Sequence, residues 1–266
     1  MKGDAVFSRD WAPTGAPRGA IALVHGLGEH SGRYEHLAAR FVEAGFAVWA
    51  IDLRGHGKSP GLQGATRFAP ALADIDALVA RAGASGAGVP VFLYGHSLGA
   101  MLSVLWLLER PAAPVRGAVI SAIGLHSALK EQAVKVRMAR VLGKVAPKAR
   151  VKSGIDPKTL SRDPEVVEAY RRDKLVHEFA SLGFGLDALE AIDRVVAGAV
   201  GLTVPMLVIH GGEDALAYAS GAHELAALTP ALSTLRVYDG LFHEIHNEPE
   251  QEQVFADVLA WLEERL

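Results

Sequence analysis

Short apolar runs, most of them closed by glycine, recur along the chain at Ala20–Gly26, Phe46–Gly55, Val89–Gly95, Arg116–Ser121, Val204–Gly212 and Ser233–Gly240. Runs this short and this apolar predict strands, and several end beside polar or titratable residues. Between them the apolar spacing changes to the period of a helix over Ser31–Ala44, Phe68–Ala82, Ser97–Glu109, Ala219–Leu228 and Glu250–Leu266. Strand and helix patterns that alternate in this way predict an α/β fold with a mostly parallel sheet and helices on both faces. No internal repeat is present.

Residues 122–202 break the alternation. They fall between two predicted strands yet show helical periodicity and no convincing strand, which predicts a helical cap inserted into a core made of residues 1–121 and 203–266. Within the cap, Val134, Met138, Val141, Leu142 and Val145 share one helix face, with Arg140 and Lys144 projecting elsewhere. Lys130 to Lys152 hold eight basic residues and one acidic, a stretch that fits either a solvated helix face or a surface for peripheral contact with an anionic membrane or micelle.

Composition narrows the function classes. The 266 residues carry a net charge of −3, which gives no general reason to bind nucleic acid. There is no cysteine, so disulfides, thiol nucleophiles and thiolate metal sites are excluded, and a reducing cytoplasm is the expected compartment. The first residues lack the apolar core of a signal peptide, and no apolar stretch approaches the roughly 18 residues a membrane span needs.

The candidate chemistry lies where the third predicted strand ends. Gly95-His96-Ser97-Leu98-Gly99 fits the G-x-S-x-G pattern in which a strand turns sharply into a helix and exposes a serine at the turn. Glycines are required on either side because a β-carbon would collide with the opposing strand or helix. The same turn aims the first amides of the new helix at one point in space, which suits a developing oxyanion. The match follows a predicted strand and opens a predicted helix, and that context separates it from an incidental serine in a glycine-rich turn.

A serine hydroxyl needs a base to take its proton, and the base needs a carboxylate to hold its tautomer. Asp214 follows one predicted strand and His243 the next, giving the chain order serine, acid, histidine. Glu213 and His246 are the neighbouring rivals. Asp214 is preferred because the side chain of Glu213 would point the opposite way, and His243 because it directly follows the loop after its strand. Asp239 reads as a turn residue. His25-Gly26-Leu27-Gly28 follows the first predicted strand, where a second oxyanion donor is supplied by a backbone amide, so Leu27 and Leu98 are the candidate pair. His25 itself reads as packing and hydrogen bonding that hold the loop. His243-Glu244-Ile245-His246 is one residue short of a zinc-binding H-E-x-x-H helix, and no phosphate-binding glycine motif follows a strand, so neither metal nor cofactor is expected.

These motifs together resemble the monoacylglycerol lipase and lysophospholipase branch of the α/β-hydrolases, sometimes grouped with serine aminopeptidases, nearly end to end. LVHGLGEHSGRYEHLA (from Leu23) is similar to that family's oxyanion loop and first helix, DLRGHGKSPG (from Asp52) to its next strand end, and YGHSLGA (from Tyr94) to its serine turn. LSRDPEVVEAYRRDKLVH (from Leu160) resembles the family's cap segment, and VPMLVIHGGED and GLFHEIHNE its acid and histidine motifs. The resemblance implies an α/β-hydrolase fold, Ser97 as nucleophile, His243 as base, Asp214 as its orienter and Leu27 and Leu98 as oxyanion amides. It implies for Asp52, Arg54 and His56 a structural network near the site. Ala100 and Lys174 stand where the family commonly has glycine and proline, and Glu213–Ala222 is small and apolar after the acid. These departures bear on acyl and alcohol specificity. The expected activity is hydrolysis of monoacylglycerol-like single-chain lipid esters through an acyl-enzyme. A broad short-chain esterase or lysophospholipase and a non-catalytic ligand-binding relative are the alternatives.

Overall fold

The computed structural model describes residues 5–127 and 140–266. Its strands are Ser8–Trp11 (β1), Gly19–Val24 (β2), Phe46–Ile51 (β3), Val91–His96 (β4), Gly117–Ser121 (β5), Arg150–Lys152 (β6), Phe179–Ser181 (β7), Met206–Gly211 (β8) and Ser233–Tyr238 (β9). Each of the six predicted apolar runs overlaps one of them. Seven strands form one sheet in the order β1-β3-β2-β4-β5-β8-β9, parallel except for β1, which runs antiparallel to β3 at the edge. This is the α/β-hydrolase class of fold that the sequence predicts. Strand β1 escapes the sequence pattern because Ser8, Arg9 and Asp10 are polar; its place is set by backbone pairing with β3.

The helices are Glu35–Glu43 (α1), preceded by a tight turn at Ser31–Tyr34, then Phe68–Gly83 (α2), Leu98–Glu109 (α3), Pro164–Arg172 (α4), Leu182–Gly198 (α5), Ala219–Leu228 (α6) and Gln251–Glu263 (α7). Alternate side chains along the strands feed two cores. Ala22, Leu93 and Ile120 meet Leu72 and Ile75 of α2 and Leu102 of α3 on one face. Ile21, Phe92 and Val119 meet Phe41 of α1 and Val258 of α7 on the other. Burying each larger side chain stabilises the fold by about 1.5–3 kcal/mol.

Between β5 and β8 the described chain holds the β6–β7 ribbon, α4 and α5. The ribbon corrects the expectation that 122–202 contain no strand. Its paired segments lie almost thirty positions apart, and Arg150–Lys152 is exposed along its length, so no local apolar run marks it. Helix α5 packs on α3, which explains why Leu98 to Leu107 of α3 are buried all round although one face alone meets the sheet. The segment is tied to the sheet by polar contacts as well. His30 Nε2 lies 2.8 Å from Asp173 Oδ2, Arg162 Nε donates to Glu248 Oε2 at 3.0 Å, and the His177 amide donates to the Gly28 carbonyl at 2.9 Å. Of the apolar face predicted around Val141, Val134 and Met138 lie outside the described residues, while Val141, Leu142 and Val145 are solvent-exposed.

All parallel strands end at the same edge of the sheet, so the loops after β2, β4, β8 and β9 converge there. In open parallel sheets that edge is where ligands are handled.

Candidate active site

The serine turn is built by close approach. Ser97 sits between the end of β4 and the start of α3 at φ 53° and ψ −112°, a conformation that costs a residue with a β-carbon about 1–3 kcal/mol. Its amide is anchored by donating to the Ser121 carbonyl at 2.8 Å. A β-carbon on Gly95 would lie 2.4 Å from the Gly99 carbonyl oxygen, and one on Gly99 would lie 2.0 Å from that of Val24. Only glycines let α3 descend this steeply onto β2 and β4, and that descent lifts Ser97 to the sheet edge.

The loops after β8 and β9 bring two more side chains to it. His243 Nε2 lies 3.0 Å from Ser97 Oγ, and His243 Nδ1 lies 2.7 Å from Asp214 Oδ2. Asp214 is fully satisfied, because its Oδ1 accepts from the amides of Leu216 at 2.9 Å and Ala217 at 3.0 Å. The approach of the two loops depends on Gly211, where a β-carbon would lie 2.1 Å from the Phe242 carbonyl oxygen. Nothing in the apolar periodicity distinguishes that glycine from the others that close strands. Nor does it assign a role to His210, which interrupts an apolar strand four residues before the acid and places Nε2 3.0 Å from Asp214 Oδ2.

The rivals fall elsewhere. Glu213 is exposed, and Asp239 is exposed in the turn after β9. His246 is buried and stacks on Tyr34 with ring centroids 4.8 Å apart. On the other side of Ser97, a β-carbon on Gly26 would come 3.3 Å from Ser97 Cβ, so the loop after β2 lies directly against the serine. That loop is pinned from below. His25 Nδ1 donates to the Gly26 carbonyl at 2.7 Å and its Nε2 accepts from the Leu53 amide at 2.9 Å. Glu29 Oε1 accepts from the Gly26 amide at 2.6 Å and from Tyr34 Oη at 2.6 Å. Arg33 bridges Glu29 to Glu244, binding the latter through both terminal nitrogens at 2.6 and 2.7 Å. Asp52, which accepts from Ser31 and Lys58, Arg54, which pairs with Asp74 at 2.8 Å, and His56, wedged between His25 and His177, brace the neighbouring turn.

Ser97, Leu98, Leu27 and His243 open into a cavity of about 410 Å³ whose far walls include Phe184 and Ile192 of α5. Among the described residues no group of three or more His, Asp or Glu side chains is arranged to hold a metal ion. The arrangement can move a proton from Ser97 Oγ to His243 and hold an apolar molecule against the oxygen left behind.

The family described as Hydrolase_4, serine aminopeptidase S33, matches residues 15–250. The chain belongs to this family. Among its relatives is the monoacylglycerol lipase of Mycolicibacterium smegmatis, 38% identical over 95% of this chain and 90% of that one. An uncharacterized abhydrolase domain-containing protein of Dictyostelium discoideum is 34% identical over 97% of this chain, which spans only 28% of that protein's length. The crystal structure of Paleococcus ferrophilus monoacylglycerol lipase superposes with a TM-score of 0.91 at 33% identity, over 99% of this chain and all of that one.

In this S33 family member, burial sets the charge states around the site. Burial would push the Asp214 carboxyl up, but the adjoining His243 and His210 outweigh it and hold the group well below its ordinary range. Burial likewise opposes charge on His243, and the Asp214 carboxylate overrides it and raises the imidazole above 6.5. His25, His56, His96 and His177 are lowered chiefly by burial, and His246 is pushed down to about 3 for the same reason. All five favour the neutral form in the folded chain while the unfolded chain protonates near 6.5, so their contribution is complete above pH 6.5 and is lost as pH falls through their lowered folded values. His243 has the opposite sign: its contribution is present below 6.5 and fades as pH rises through its raised folded value. Five groups against one give the expected result, a urea unfolding midpoint that is lower at about pH 5 than at about pH 7.5. An equal or higher midpoint in acid would contradict the neutral, buried histidine set.

Proposed function

We propose that the chain is a serine carboxylester hydrolase that cleaves monoacylglycerol-like single-chain lipid esters through an acyl-enzyme. The observation that carries this reading is the Ser97–His243–Asp214 relay opening into an apolar cavity. Ser97 is the nucleophile: its proton passes to His243 Nε2 as Oγ bonds to the ester carbonyl carbon. The amides of Leu27 and Leu98 receive the negative oxygen; Leu98 opens α3, so its amide has no partner within the helix. Collapse of the intermediate breaks the bond to the alcohol, which leaves with the proton from His243. Water then enters, gives its proton to His243, and frees the fatty acid. Residues 122–202 act as a cap over this step, with Phe184 and Ile192 lining the acyl side. The acyl chain is held by burial alone, which discriminates by length at about 0.8 kcal/mol per methylene.

The relatives support the substrate class, since the mycobacterial protein and the Paleococcus structure are both named monoacylglycerol lipases. The cap also supplies a surface for the substrate's own phase. Val141 and Val145 are 56% and 78% exposed, Lys144 projects to one side of them and Arg140 pairs with Asp193 at 2.7 Å, and we propose that this part of the cap makes peripheral contact with an anionic micelle or membrane. Among the described residues no helix is long and apolar enough to cross a membrane.

The test is release of fatty acid from monoacylglycerols of graded chain length, as monomers and in anionic vesicles, beside p-nitrophenyl esters. The expected result is a preference for medium or long chains that strengthens on vesicles and weakens with salt. A flat profile that favours short esters in solution would make the chain a broad esterase instead.

A further inference from the structure

Asp214 Oδ2 is a shared acceptor. Besides His243 it faces His210 Nε2, and that same nitrogen lies 2.7 Å from the Ala217 carbonyl oxygen. Both partners only accept, so Nε2 carries the hydrogen. His210 is fully buried near the end of β8, and its Nδ1 has no hydrogen-bond partner among the described residues. Its strand neighbours Val208 and Ile209 are apolar, and an aliphatic side chain would avoid an unpartnered imidazole nitrogen there, at the cost of the hydrogen that the Ala217 carbonyl now receives. A histidine kept there against that penalty is explained by what Nε2 does at the acid.

We propose that His210 is a positioning residue of the relay, an inference that rests on the hydrolase reading above. Its N–H holds the Asp214 carboxylate in the rotamer that meets His243 Nδ1. By drawing on the same oxygen, it also limits how strongly that oxygen stabilises the His243 cation, which keeps the proton deliverable to the leaving alcohol. The other groups that bear on His243 come from several elements. Glu244 and His246 lie in its own loop, Glu29, which pairs with Arg33, follows β2, and the His96 ring at the end of β4 lies 4.9 Å away. None of them touches Asp214 Oδ2, so a change at position 210 reaches His243 through that oxygen.

The experiment compares H210L, H210N and H210Q in the full chain, reading kcat/KM on p-nitrophenyl butyrate against pH at the isosbestic wavelength of the product. The amide nitrogen of glutamine reaches the place of Nε2, whereas that of asparagine reaches the place of Nδ1. In H210L and H210N the acid limb, which reports His243 in the free enzyme, is expected to move up by about half a pH unit, with kcat several-fold lower and KM little changed. In H210Q the limb is expected to return to its original position. An unmoved or lowered limb in H210L and H210N, identical profiles in all three variants, or failure of all three to fold would overturn the proposal and leave His210 a packing residue. Absence of Ser97-dependent hydrolysis in the unsubstituted chain would instead defeat the proposed function itself.

Discussion

Ser97→Ala is expected to lower ester hydrolysis by a factor of about 10⁴ to 10⁶ and to leave the fold intact. The loss is large because every proposed step passes through Oγ: it forms the acyl bond, and its proton is the one His243 carries to the alcohol. The variant still has the two proposed oxyanion amides and its cavity, so a small rate above that of water is expected to remain. Stability changes little, because alanine keeps the β-carbon that bears the strain at φ 53° and removes only an oxygen at the mouth of the cavity. The measurements are kcat on p-nitrophenyl butyrate, mass labelling by a fluorophosphonate and a thermal melt. A variant that melts like the parent, no longer takes the label and no longer turns over is the expected outcome. Retained turnover would remove Ser97 from the mechanism.

Asp214→Asn is expected to cost about 10³ to 10⁴ in kcat, more than the loss of one charge suggests, for a reason specific to this loop. The amides of Leu216 and Ala217 both donate to Oδ1, so the oxygen of the asparagine must take that side. Its NH₂ group is then forced into the place of Oδ2, where it meets His243 Nδ1 and His210 Nε2. A donor there drives His243 to the tautomer with hydrogen on Nε2, which cannot accept from Ser97. It also leaves the His210 N–H only the Ala217 carbonyl. Because the tautomer and not the group's position is at fault, the variant is expected to keep KM within a few-fold of the parent. A kcat within tenfold of the parent would show that Asp214 is not the residue that orients His243.

The elements built from local pattern were legible in the chain. Strand β4 runs apolar into Gly95, α3 begins at the residue after Ser97, and the six apolar runs each became strands of one sheet. Strand β1 and the β6–β7 ribbon were not legible, because their polar or exposed residues carry no apolar signal and their partners are far along the chain. The site divides in the same way. The flanking glycines and the order Ser97, Asp214, His243 can be read in one dimension, since turn chemistry and chain order are local properties.

What only the tertiary structure decided is which groups share an atom. The sequence prefers His243 and Asp214, and the fold shows where their rivals go: His246 stacks on Tyr34 and Glu213 faces solvent, while the part of Gly211 depends on a carbonyl from the next loop. His210 makes the point most sharply. In sequence it is one polar residue in an apolar strand, and its consequence appears only when the chain folds back to place a second imidazole on the same carboxylate oxygen. Periodicity reports which face of an element is buried, whereas a hydrogen bond between distant residues is fixed by packing to a few tenths of an ångström.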